Sequence, residues 1–327
     1  MKAPVVTFSV IIATKNRAEE LRTISLPSLA KQDNRDFEII AWDASEDDRS
    51  EQVVEAFAAA HPDLSIFYFK APRAGSCAQR NDAVKVARGE IVFFIDDDSE
   101  VSPDGIAALR DTFEGQAALS GTCLPLDYFL FRASVGKSGS KTEQLRAFLL
   151  AIYGNVFGPV FGGSGVFKAS LPGHPNRVSY LSGCDMAFRK GVFQHHSFNE
   201  RLQKYGGYAL WEDIEFSQRL HREGHILCVT EYGFVVHRAA SGQRAGDLFN
   251  KGKLQGYNAC VVWRKSIFPF SPWSVISFVW ARIGFLGVVL LQCFLRPWQK
   301  ERWKRTAGYL TGLWVFTLEE IRGYTEP

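Results

Sequence analysis

The sequence predicts an α/β fold with a mostly parallel central sheet, followed by apolar helices at the C-terminus. Along residues 8–95, short apolar runs rich in β-branched or aromatic residues alternate with helical patterns. Strands that alternate with helices at this spacing form βαβ units, which build parallel sheets covered on both faces. Near the C-terminus, residues 266–295 carry a single charged side chain, Arg282.

The predicted elements follow one another in a regular order. The predicted strands are 8–12, 37–42, 66–69 and 91–95, and the helices between them are about 18–31, 49–60 and 77–88. Farther along we expect a helix over 141–153, a helix from 211–213 to Gly224, and strands over 226–229 and 234–236. In a parallel sheet, ligands bind in the crevice at the carboxyl ends of the strands. The residues that follow each strand are therefore the first candidates for a site.

The composition of the 327 residues is that of an ordinary globular protein, with 46% hydrophobic and 22% charged residues. It excludes a disordered chain, a collagen-like chain and a coiled coil.

The excess positive charge of +3 lies in the C-terminal tail. Residues 266–327 contain seven Lys and Arg residues but four Glu, whereas residues 1–265 contain 31 basic and 31 acidic residues. No broad basic surface for nucleic acid is expected, but a local basic cluster beside apolar sequence suits an anionic membrane surface.

The six cysteines are scattered along the chain and form no CxxC pair. A zinc site of thiolates and a disulfide scaffold are therefore not expected. We predict reduced, mostly buried thiols in a cytosolic compartment. The first residues show no signal-peptide pattern.

The apolar stretch 273–295 admits two interpretations. It is long enough to cross a bilayer, which takes about 20 apolar residues, and the basic and aromatic run 296–305 behind it is typical of a headgroup interface. Alternatively it packs on another helix through small residues of one face, which are Ser274, Ser277, Ala281 and Gly284. We predict a location at the cytoplasmic face of a membrane, either peripheral or through a single span at 273–295.

Three consecutive aspartates, Asp96–Asp98, directly follow the predicted strand 91–95. Carboxylates at a strand end are hard oxygen ligands that suit Mg²⁺ or Mn²⁺ shared with the phosphates of a substrate. A bridging cation removes the repulsion between carboxylates and a diphosphate and stabilises a departing phosphate. The alternative is that the three aspartates form a solvated acidic turn before Pro103. The apolar strand directly before them makes this alternative the weaker one.

Polar residues also follow the other strands. Asp43 can accept a hydrogen bond from a nucleobase imide or a ribose hydroxyl, or it can be a turn residue with Ser45. Arg80 and Asn81 lie on the predicted helix after Gly75. One interpretation is that they bind a phosphate together with the N-terminus of this helix. The equal alternative is that both lie on a solvent-exposed helix face without a binding role. The candidates after the first strand are Ala13, Thr14, Asn16 and Arg17.

Two further candidates lie in the second half of the chain. Glu212 and Asp213 open a predicted helix, where acidic residues are favoured in any case, but a carboxylate at a crevice rim can also take the proton of an attacking hydroxyl. His237 ends the last predicted strand and either completes a metal site with Asp98 or is a structural histidine. No GxxxxGK[ST], GxGxxG or GxSxG motif is present, which argues against a P-loop kinase, a dinucleotide-binding dehydrogenase and an α/β-hydrolase.

As an ordered set, these motifs resemble those of the inverting family 2 glycosyltransferases, which have the GT-A fold. The matching segments within residues 8–240 are Ser9–Asn16, Asp43–Ser45, Gly75 with Arg80–Asn81, Phe94–Asp98, Gly183–Arg189, Trp211–Phe216 and Val236–His237. Two segments depart from the common pattern of the family. Lys15-Asn16 stands where members often have Tyr-Asn, and Asp43-Ala44-Ser45 stands where they often have Asp-Asp-Gly-Ser or Asp-Asn-Ser. These departures affect the choice of donor more than the type of reaction. The glycine-rich segment 154–176 has no counterpart in the family and is interpreted as an acceptor loop or lid.

The resemblance implies a role for each matching residue. A nucleotide-diphosphate sugar donor would be bound by Ala13, Thr14, Asn16, Arg17, Asp43, Arg80, Asn81, Asp96 and Asp97. A divalent metal, Mn²⁺ or Mg²⁺, would be held by Asp96, Asp98 and His237. Asp213 would be the catalytic base, and the acceptor site would contain Gly183, Cys184, Asp185, Trp211 and Glu212.

The resemblance also implies a single displacement at the anomeric carbon with inversion of configuration. The expected partners are a glycan or lipid-linked acceptor and a membrane surface, with no nucleic acid. The chain would comprise a donor-binding half at 1–120, an acceptor-binding and catalytic half at 121–243, and a helical, membrane-associated tail at 244–327. The alternatives are a polyprenyl-phosphate sugar synthase, a sugar nucleotidyltransferase and a non-catalytic binding module. A nucleotidyltransferase usually has a glycine-rich loop after its first strand, and the residues after the first strand of this chain match such a loop poorly.

Overall fold

A computed structural model of the protein describes residues 8–125, 177–205, 209–238, 247–264, 272–295 and 297–322. The chain forms two compact units that alternate along the sequence. Of the described residues, the first unit contains 8–125, 177–200 and 212–238, and the second contains 201–205, 209–211 and those from 247 onward. The predicted helix 141–153 and the glycine-rich segment 154–176 lie outside the described residues. The predicted three-part division of the chain stays a prediction.

The first unit contains two sheets. Their strands are β1 (Phe8–Thr14), β2 (Phe37–Asp43), β3 (Ser65–Lys70), β4 (Ile91–Ile95), β5 (Ser99–Val101), β6 (Leu119–Cys123), β7 (Met186–Arg189), β8 (Ile226–Val229) and β9 (Val235–His237). The large sheet has seven strands in the order β3-β2-β1-β4-β7-β6-β8, and β5 pairs with β9 in a separate two-stranded sheet.

Strands β1 to β4 pair in parallel, as the sequence predicts. Every residue of β2 and β4 is buried, because helices cover both faces of a parallel sheet and leave no face for polar side chains. Phe8 lies opposite Phe37 and Ile91, and Thr14 lies opposite Asp43. The polar residues that follow β1, β2 and β4 therefore reach the same edge of the sheet.

Beyond β4 the sheet departs from the repeated βαβ pattern. Strand β7 lies antiparallel between β4 and β6, and β8 pairs in parallel with β6. The motif over Gly183–Arg189 predicts a site segment here and no strand, so β7 was not expected. Four of the six strand pairings of the large sheet are parallel, which confirms the predicted mostly parallel sheet.

The helices of the first unit lie close to their predicted positions, except that the helix over 105–115 was not predicted. They are α1 (Ala18–Glu20), α2 (Leu26–Ala30), α3 (Arg49–Ala60), α4 (Ser76–Val86), α5 (Gly105–Gly115) and α6 (Glu212–Arg222). The helix predicted over 18–31 is interrupted by a π-helical turn, Leu21–Ser25, between α1 and α2. Pro27 at the start of α2 has no N–H to donate, so a regular α-helical hydrogen-bond ladder cannot run through this segment.

The two-stranded sheet brings distant parts of the sequence together. Ser99 of β5 lies opposite His237 of β9, and Val101 lies opposite Val235. The backbone N–H of Arg238 also donates to the carbonyl of Asp98 at 2.8 Å. Because β5 begins directly after the three aspartates, this register places the end of β9 beside them.

The second unit contains α7 (Leu248–Val262), α8 (Pro272–Leu295) and α9 (Lys300–Ile321). Helices α7 and α9 pack with their backbones in direct contact at glycines. A Cβ atom at Gly252 or Gly256 of α7 would lie about 2 Å from a carbonyl oxygen of α9, and Gly308 and Gly312 of α9 meet α7 in the same way. Only glycine permits so close an approach, so the four glycines set the spacing of this helix pair.

Helix α8 coincides with the apolar stretch of the sequence. Its Arg282 is buried and donates to the hydroxyl of Tyr309 on α9 at 2.9 Å, and Phe285 contacts the same tyrosine ring. This contact agrees with the alternative in which the stretch packs on another helix. No helix among the described residues is both long and apolar enough to cross a membrane.

The six cysteines are buried as free thiols, as predicted. Burial raises the pKa of Cys77, Cys123 and Cys184 well above the usual value. These three thiols are therefore protonated at neutral pH and behave as small apolar side chains.

Candidate active site

Asp96, Asp98 and His237 form an oxygen-rich cluster at the end of β4. His237 Nε2 lies 3.0 Å from Asp98 Oδ1 and 3.8 Å from Asp96 Oδ2. One ligand atom from each side chain lies within 4.8 Å of the other two. Two carboxylates and an imidazole suit a divalent cation such as Mn²⁺. The three residues predicted as metal ligands are therefore brought together, and their donor atoms fit the predicted ion.

Charge and burial act in opposite directions within this cluster. Burial raises the pKa of Asp98, but the contacts with His237 and Arg17 hold it below its usual value. Burial lowers the pKa of His237, but the two aspartates raise it above its usual value. Burial raises the pKa of Asp97 to about 7.

The segment after β1 packs over the same aspartates. The guanidinium of Arg17 lies 2.5 Å from Asp98 Oδ2 and 2.9 Å from Asp97 Oδ1, and Thr14 Oγ1 donates to Asp97 Oδ2 at 2.7 Å. Ala13 lies opposite Trp42 of β2. Arg17 therefore contacts the aspartates in the region where we predict that a diphosphate binds.

Two predicted site residues have a left-handed backbone. The φ angles of Asn16 and Trp211 are 56° and 68°, and they are the non-glycine residues of the described ranges with positive φ. Asparagine tolerates this conformation, whereas for a bulky tryptophan it is strained. Strain of this kind, here at Trp211 alone, is concentrated at functional sites. The roles predicted for both residues stay predictions.

Asp43 at the end of β2 is fully buried and accepts three hydrogen bonds through its side chain. Its Oδ1 accepts from the backbone N–H and the hydroxyl of Ser45 at 2.9 and 2.5 Å, and its Oδ2 accepts from the hydroxyl of Tyr68 at 2.9 Å. Ser45 Oγ in turn accepts from the backbone N–H of Asn16 at 2.6 Å. Asp43 thus organises the turns after β1 and β2, while its predicted contact with the nucleoside stays a prediction.

Arg80 connects the cluster of Asp96, Asp98 and His237 to the start of α6. It donates to Glu212 Oε1 at 2.6 Å, to Asp96 Oδ1 at 3.1 Å and to the carbonyl of Gly183 at 3.2 Å. Burial opposes its charge, but Glu212 and Asp96 raise the pKa of Arg80. The sequence predicted Arg80 to contact the donor phosphates. In the structure its guanidinium is buried and bridges Asp96 and Glu212, which are predicted to bind the metal and the acceptor.

Asp213 lies in the first turn of α6. Its Oδ2 accepts from the backbone N–H of Gly183 at 2.9 Å, and its Oδ1 accepts from that of Ile214. A Cβ atom at residue 183 would lie 3.1–3.2 Å from three atoms of Asp213, so the glycine permits this close contact. Burial and the adjacent Glu212 raise the pKa of Asp213 to about 7. A carboxyl group with this pKa can gain and lose a proton at neutral pH.

Three predicted contact residues are engaged within the protein. Asn81 holds the backbone of Phe198 through two hydrogen bonds of 2.8 and 3.0 Å, and it also donates to Glu200. Asp185 is fully buried and Cys184 is nearly so; burial raises the pKa of Asp185 to about 8. None of the three therefore presents an open polar surface to a donor or an acceptor in this structure.

Sequence reasoning missed Gln79 and Tyr68. Gln79 Nε2 donates at 2.9 Å to the carbonyls of both Thr14 and Trp42, and so joins the ends of β1 and β2. Gln79 directly precedes Arg80 on a helix that enters the site, which is the one signal in the sequence that points to it. Nothing in the sequence points to Tyr68, because only the pairing of β2 with β3 brings its hydroxyl to Asp43.

Residues 9–127 match the model of glycosyl transferase family 2. This segment belongs to glycosyl transferase family 2. The match begins in β1 and contains the residues predicted to bind the donor, from Ala13 to Asp97, as well as Asp98. The family that the motifs resemble is thereby confirmed.

Known members with this domain act on several acceptors. The chain is 30% identical over 157 residues to the GalNAc(5)-diNAcBac-PP-undecaprenol beta-1,3-glucosyltransferase of Campylobacter jejuni, a match that covers 47% of this chain and 50% of that protein. It is 35% identical over 99 residues to the poly(ribitol-phosphate) beta-N-acetylglucosaminyltransferase TarS of Staphylococcus aureus, covering 30% and 17%. The matched segment thus spans half or less of the length of these family 2 relatives.

Solved structures share the fold over most of the chain. The mannosyltransferase PcManGT from Pyrobaculum calidifontis, in complex with GDP-Man and Mn²⁺, has a TM-score of 0.56 at 15% identity and covers 96% of this chain and 90% of that one. S. aureus TarS 1-349, in complex with UDP-GlcNAc, has a TM-score of 0.52 at 18% identity and covers 98% and 93%. This chain has the GT-A fold, as the family 2 motifs imply.

Proposed function

We propose that the protein is a metal-dependent, inverting glycosyltransferase that moves a sugar from a nucleotide-diphosphate donor to a hydroxyl of a glycan or lipid-linked acceptor. The observation that carries the proposal is the link between two sets of carboxylates in a family 2 domain. Arg80 bonds Asp96 of the metal-binding cluster and also the carbonyl of Gly183, whose N–H donates to Asp213. The predicted metal ligands and the predicted base therefore share one hydrogen-bonded network.

In this mechanism Asp213 accepts the proton of the acceptor hydroxyl as that oxygen attacks the anomeric carbon. The bond from this carbon to the donor diphosphate breaks, and the transition state resembles an oxocarbenium ion. The Gly183 N–H and Ile214 N–H orient the Asp213 carboxylate. A single displacement of this kind inverts the configuration of the anomeric carbon.

Asp96, Asp98 and His237 would hold the divalent metal. When bound there, the ion supplies positive charge that stabilises the departing nucleoside diphosphate. Arg17, which contacts Asp97 and Asp98, supplies a second positive charge to the same region. Because Arg17 lies where we expect the donor diphosphate, we propose that its guanidinium binds the donor phosphates.

The class of acceptor is proposed from the family 2 relatives. The Campylobacter jejuni relative is named for a glycan on PP-undecaprenol, and TarS for poly(ribitol-phosphate). Both acceptors are hydroxyl-bearing polymers or oligomers. A glycan elongated on a lipid carrier or an anionic polymer is therefore the acceptor class to test first.

The test is a screen of nucleotide sugars with Mn²⁺, in which release of nucleoside diphosphate and transfer to glycan acceptors are measured. We expect release of nucleoside diphosphate with a glycan product of inverted configuration, and Asp98→Asn should raise the Mn²⁺ concentration required by at least about ten-fold. Release of inorganic diphosphate would instead identify a nucleotidyltransferase. A lipid-extractable product carrying a single sugar on a polyprenyl phosphate would identify the alternative synthase.

We also propose that the protein contacts a membrane peripherally through the region around the turn between α8 and α9. Trp298 in this turn is 72% exposed, and Phe294 and Leu295 at the end of α8 are exposed as well. Lys300 and Lys304 follow on α9 and are exposed. Exposed aromatic residues beside lysines suit the headgroup region of an anionic bilayer.

Sedimentation with vesicles measures this contact. Wild-type protein should bind vesicles that contain anionic lipid more tightly than neutral ones, and Trp298→Ala with Lys304→Gln should weaken that binding. The control is Trp42→Phe, a substitution in the buried sheet of the first unit. Equal binding of the wild type to neutral and anionic vesicles would contradict the proposal.

A further inference from the structure

Outside the candidate active site, the first unit holds a second cluster of metal-ligating side chains. It consists of His196, which follows the turn Lys190–Gln194, and of Glu223 and His225 beyond the end of α6. One ligand atom of each residue lies within 4.8 Å of the other two. His196 Nε2 lies 3.4 Å from Glu223 Oε2, and the two imidazole rings are nearly perpendicular, with centroids 5.3 Å apart.

The end of α6 brings two of these ligands together. Gly224 has a φ of 91°, its N–H donates to the carbonyl of His221, and the N–H of His225 donates to that of Leu220. These two bonds form a Schellman motif, which reverses the chain around the glycine. The reversal sets Glu223 and His225 on either side of Gly224, where both reach His196.

The remaining contact of His225 leaves it suited to bind a metal. Its Nδ1 lies 2.8 Å from Ser120 Oγ on β6. With the proton on Nδ1 donated to this hydroxyl, Nε2 keeps the lone pair that a metal requires. A second-sphere hydrogen bond of this kind is the usual way in which proteins orient a metal-binding histidine.

We propose that His196, Glu223 and His225 form a Zn²⁺ site, separate from the candidate active site and its catalytic metal. Two imidazoles and one carboxylate are a frequent three-residue zinc ligand set, which leaves a fourth tetrahedral position for water. Bonds of about 2.0–2.1 Å place tetrahedral ligand atoms about 3.3–3.4 Å apart, and the His196–Glu223 pair is already 3.4 Å apart.

The surroundings act on a cation in two directions, because the helix dipole attracts it whereas Arg219 and Arg222 in the last turn of α6 repel it. The cluster lies at the C-terminus of α6, where the helix dipole is negative. An ion held there joins the turn after β7, the end of α6 and, through Ser120, strand β6. The same helix carries Asp213 at its other end, so the Zn²⁺ site would anchor the helix that presents the proposed base.

The test uses the full chain, stripped of metal and dialysed against micromolar Zn²⁺ with millimolar Mg²⁺ present to occupy the oxygen-rich cluster. We expect His196→Asn and Glu223→Gln to retain one equivalent of zinc less than the wild type, or to bind it at least about ten-fold more weakly. His195→Asn is the matched control, since His195 is the exposed neighbour of His196 and should retain the wild-type zinc content.

Two further readouts keep the result independent of folding and of transferase activity. Glu223 is half exposed, so Glu223→Gln should stay folded by circular dichroism while it loses zinc. Co²⁺ bound to the wild type should give the intense visible absorption of a tetrahedral site, and this band should be absent from His196→Asn. The proposal would be overturned if the wild type, His196→Asn and Glu223→Gln contained the same amount of zinc. It would also be overturned if His195→Asn lost as much zinc as His196→Asn.

Discussion

Asp43 and Asp213 are both carboxylates of the candidate site, but Asp43 is fully buried, Asp213 is half-buried, and their hydrogen-bond partners differ. Asp43 accepts hydrogen bonds from the N–H and hydroxyl of Ser45 and from the hydroxyl of Tyr68. Asp213 accepts two backbone N–H groups and lies beside Glu212, and burial with that neighbouring charge raises its pKa to about 7. Asp43 holds two turns together through its hydrogen bonds, whereas the negative charge beside Asp213 prepares that carboxylate to take up a proton.

The largest effect is expected for Asp213→Asn. Loss of a general base should lower the transfer rate by about 10²–10⁴-fold, while donor affinity stays near that of the wild type. A carboxyl with a raised pKa makes the folded state less stable as the pH rises from about 4 to about 7, so the neutral asparagine should not lower the melting temperature at pH 8.

The control for this substitution is Glu114→Gln, the same chemical change at an exposed position of α5. Its transfer rate and melting temperature should match those of the wild type. Full activity of Asp213→Asn would remove the functional distinction between Asp213 and Asp43.

The pH profile should show the next largest effect. Because the base acts in its ionised form, kcat/KM should fall by about ten-fold per pH unit below about 7 and should level off above it. The measurement is a set of initial rates in buffers of constant ionic strength, with the unfolding midpoint recorded at each pH. A flat profile between about pH 5 and 8 would argue against proton transfer to Asp213.

Gly183→Ala should have a smaller effect through the position of Asp213. The added methyl group would lie 3.1–3.2 Å from Asp213, which displaces the carboxylate by a few tenths of an ångström and should lower kcat by about ten-fold or less. Gly191→Ala is the control, because a Cβ there meets no atom within 4 Å. Equal rates for the two variants would show that the Gly183 contact does not position the base.

The smallest effect on activity is expected for Tyr68→Phe, on the Asp43 side of the comparison. The change removes one donor from a buried carboxylate, so it should lower the free energy of unfolding by about 1–3 kcal/mol while the transfer rate stays within about two-fold. Tyr232→Phe is the control: its hydroxyl also donates to a carboxylate, Asp111, but at an exposed site. That change should cost less than about 0.5 kcal/mol in denaturant titrations.

The amino-acid sequence by itself determined the parallel half of the sheet and the residues at its edge. The apolar runs of β1, β2 and β4 are long enough to require burial on both faces, and each is followed by polar residues. The aspartates at 96–98 were thus located from adjacent residues alone. Such patterns depend on the spacing of near neighbours, which the sequence displays directly.

The tertiary structure alone decided which distant residues share this edge. Arg80 meets Glu212, Gln79 joins two strand ends, and His237 reaches Asp98 through the pairing of β5 with β9. The antiparallel insertion of β7 between β4 and β6 likewise has no local signal. Each of these depends on strand register and on packing between segments far apart in the chain, and neither is encoded in the periodicity of any single segment.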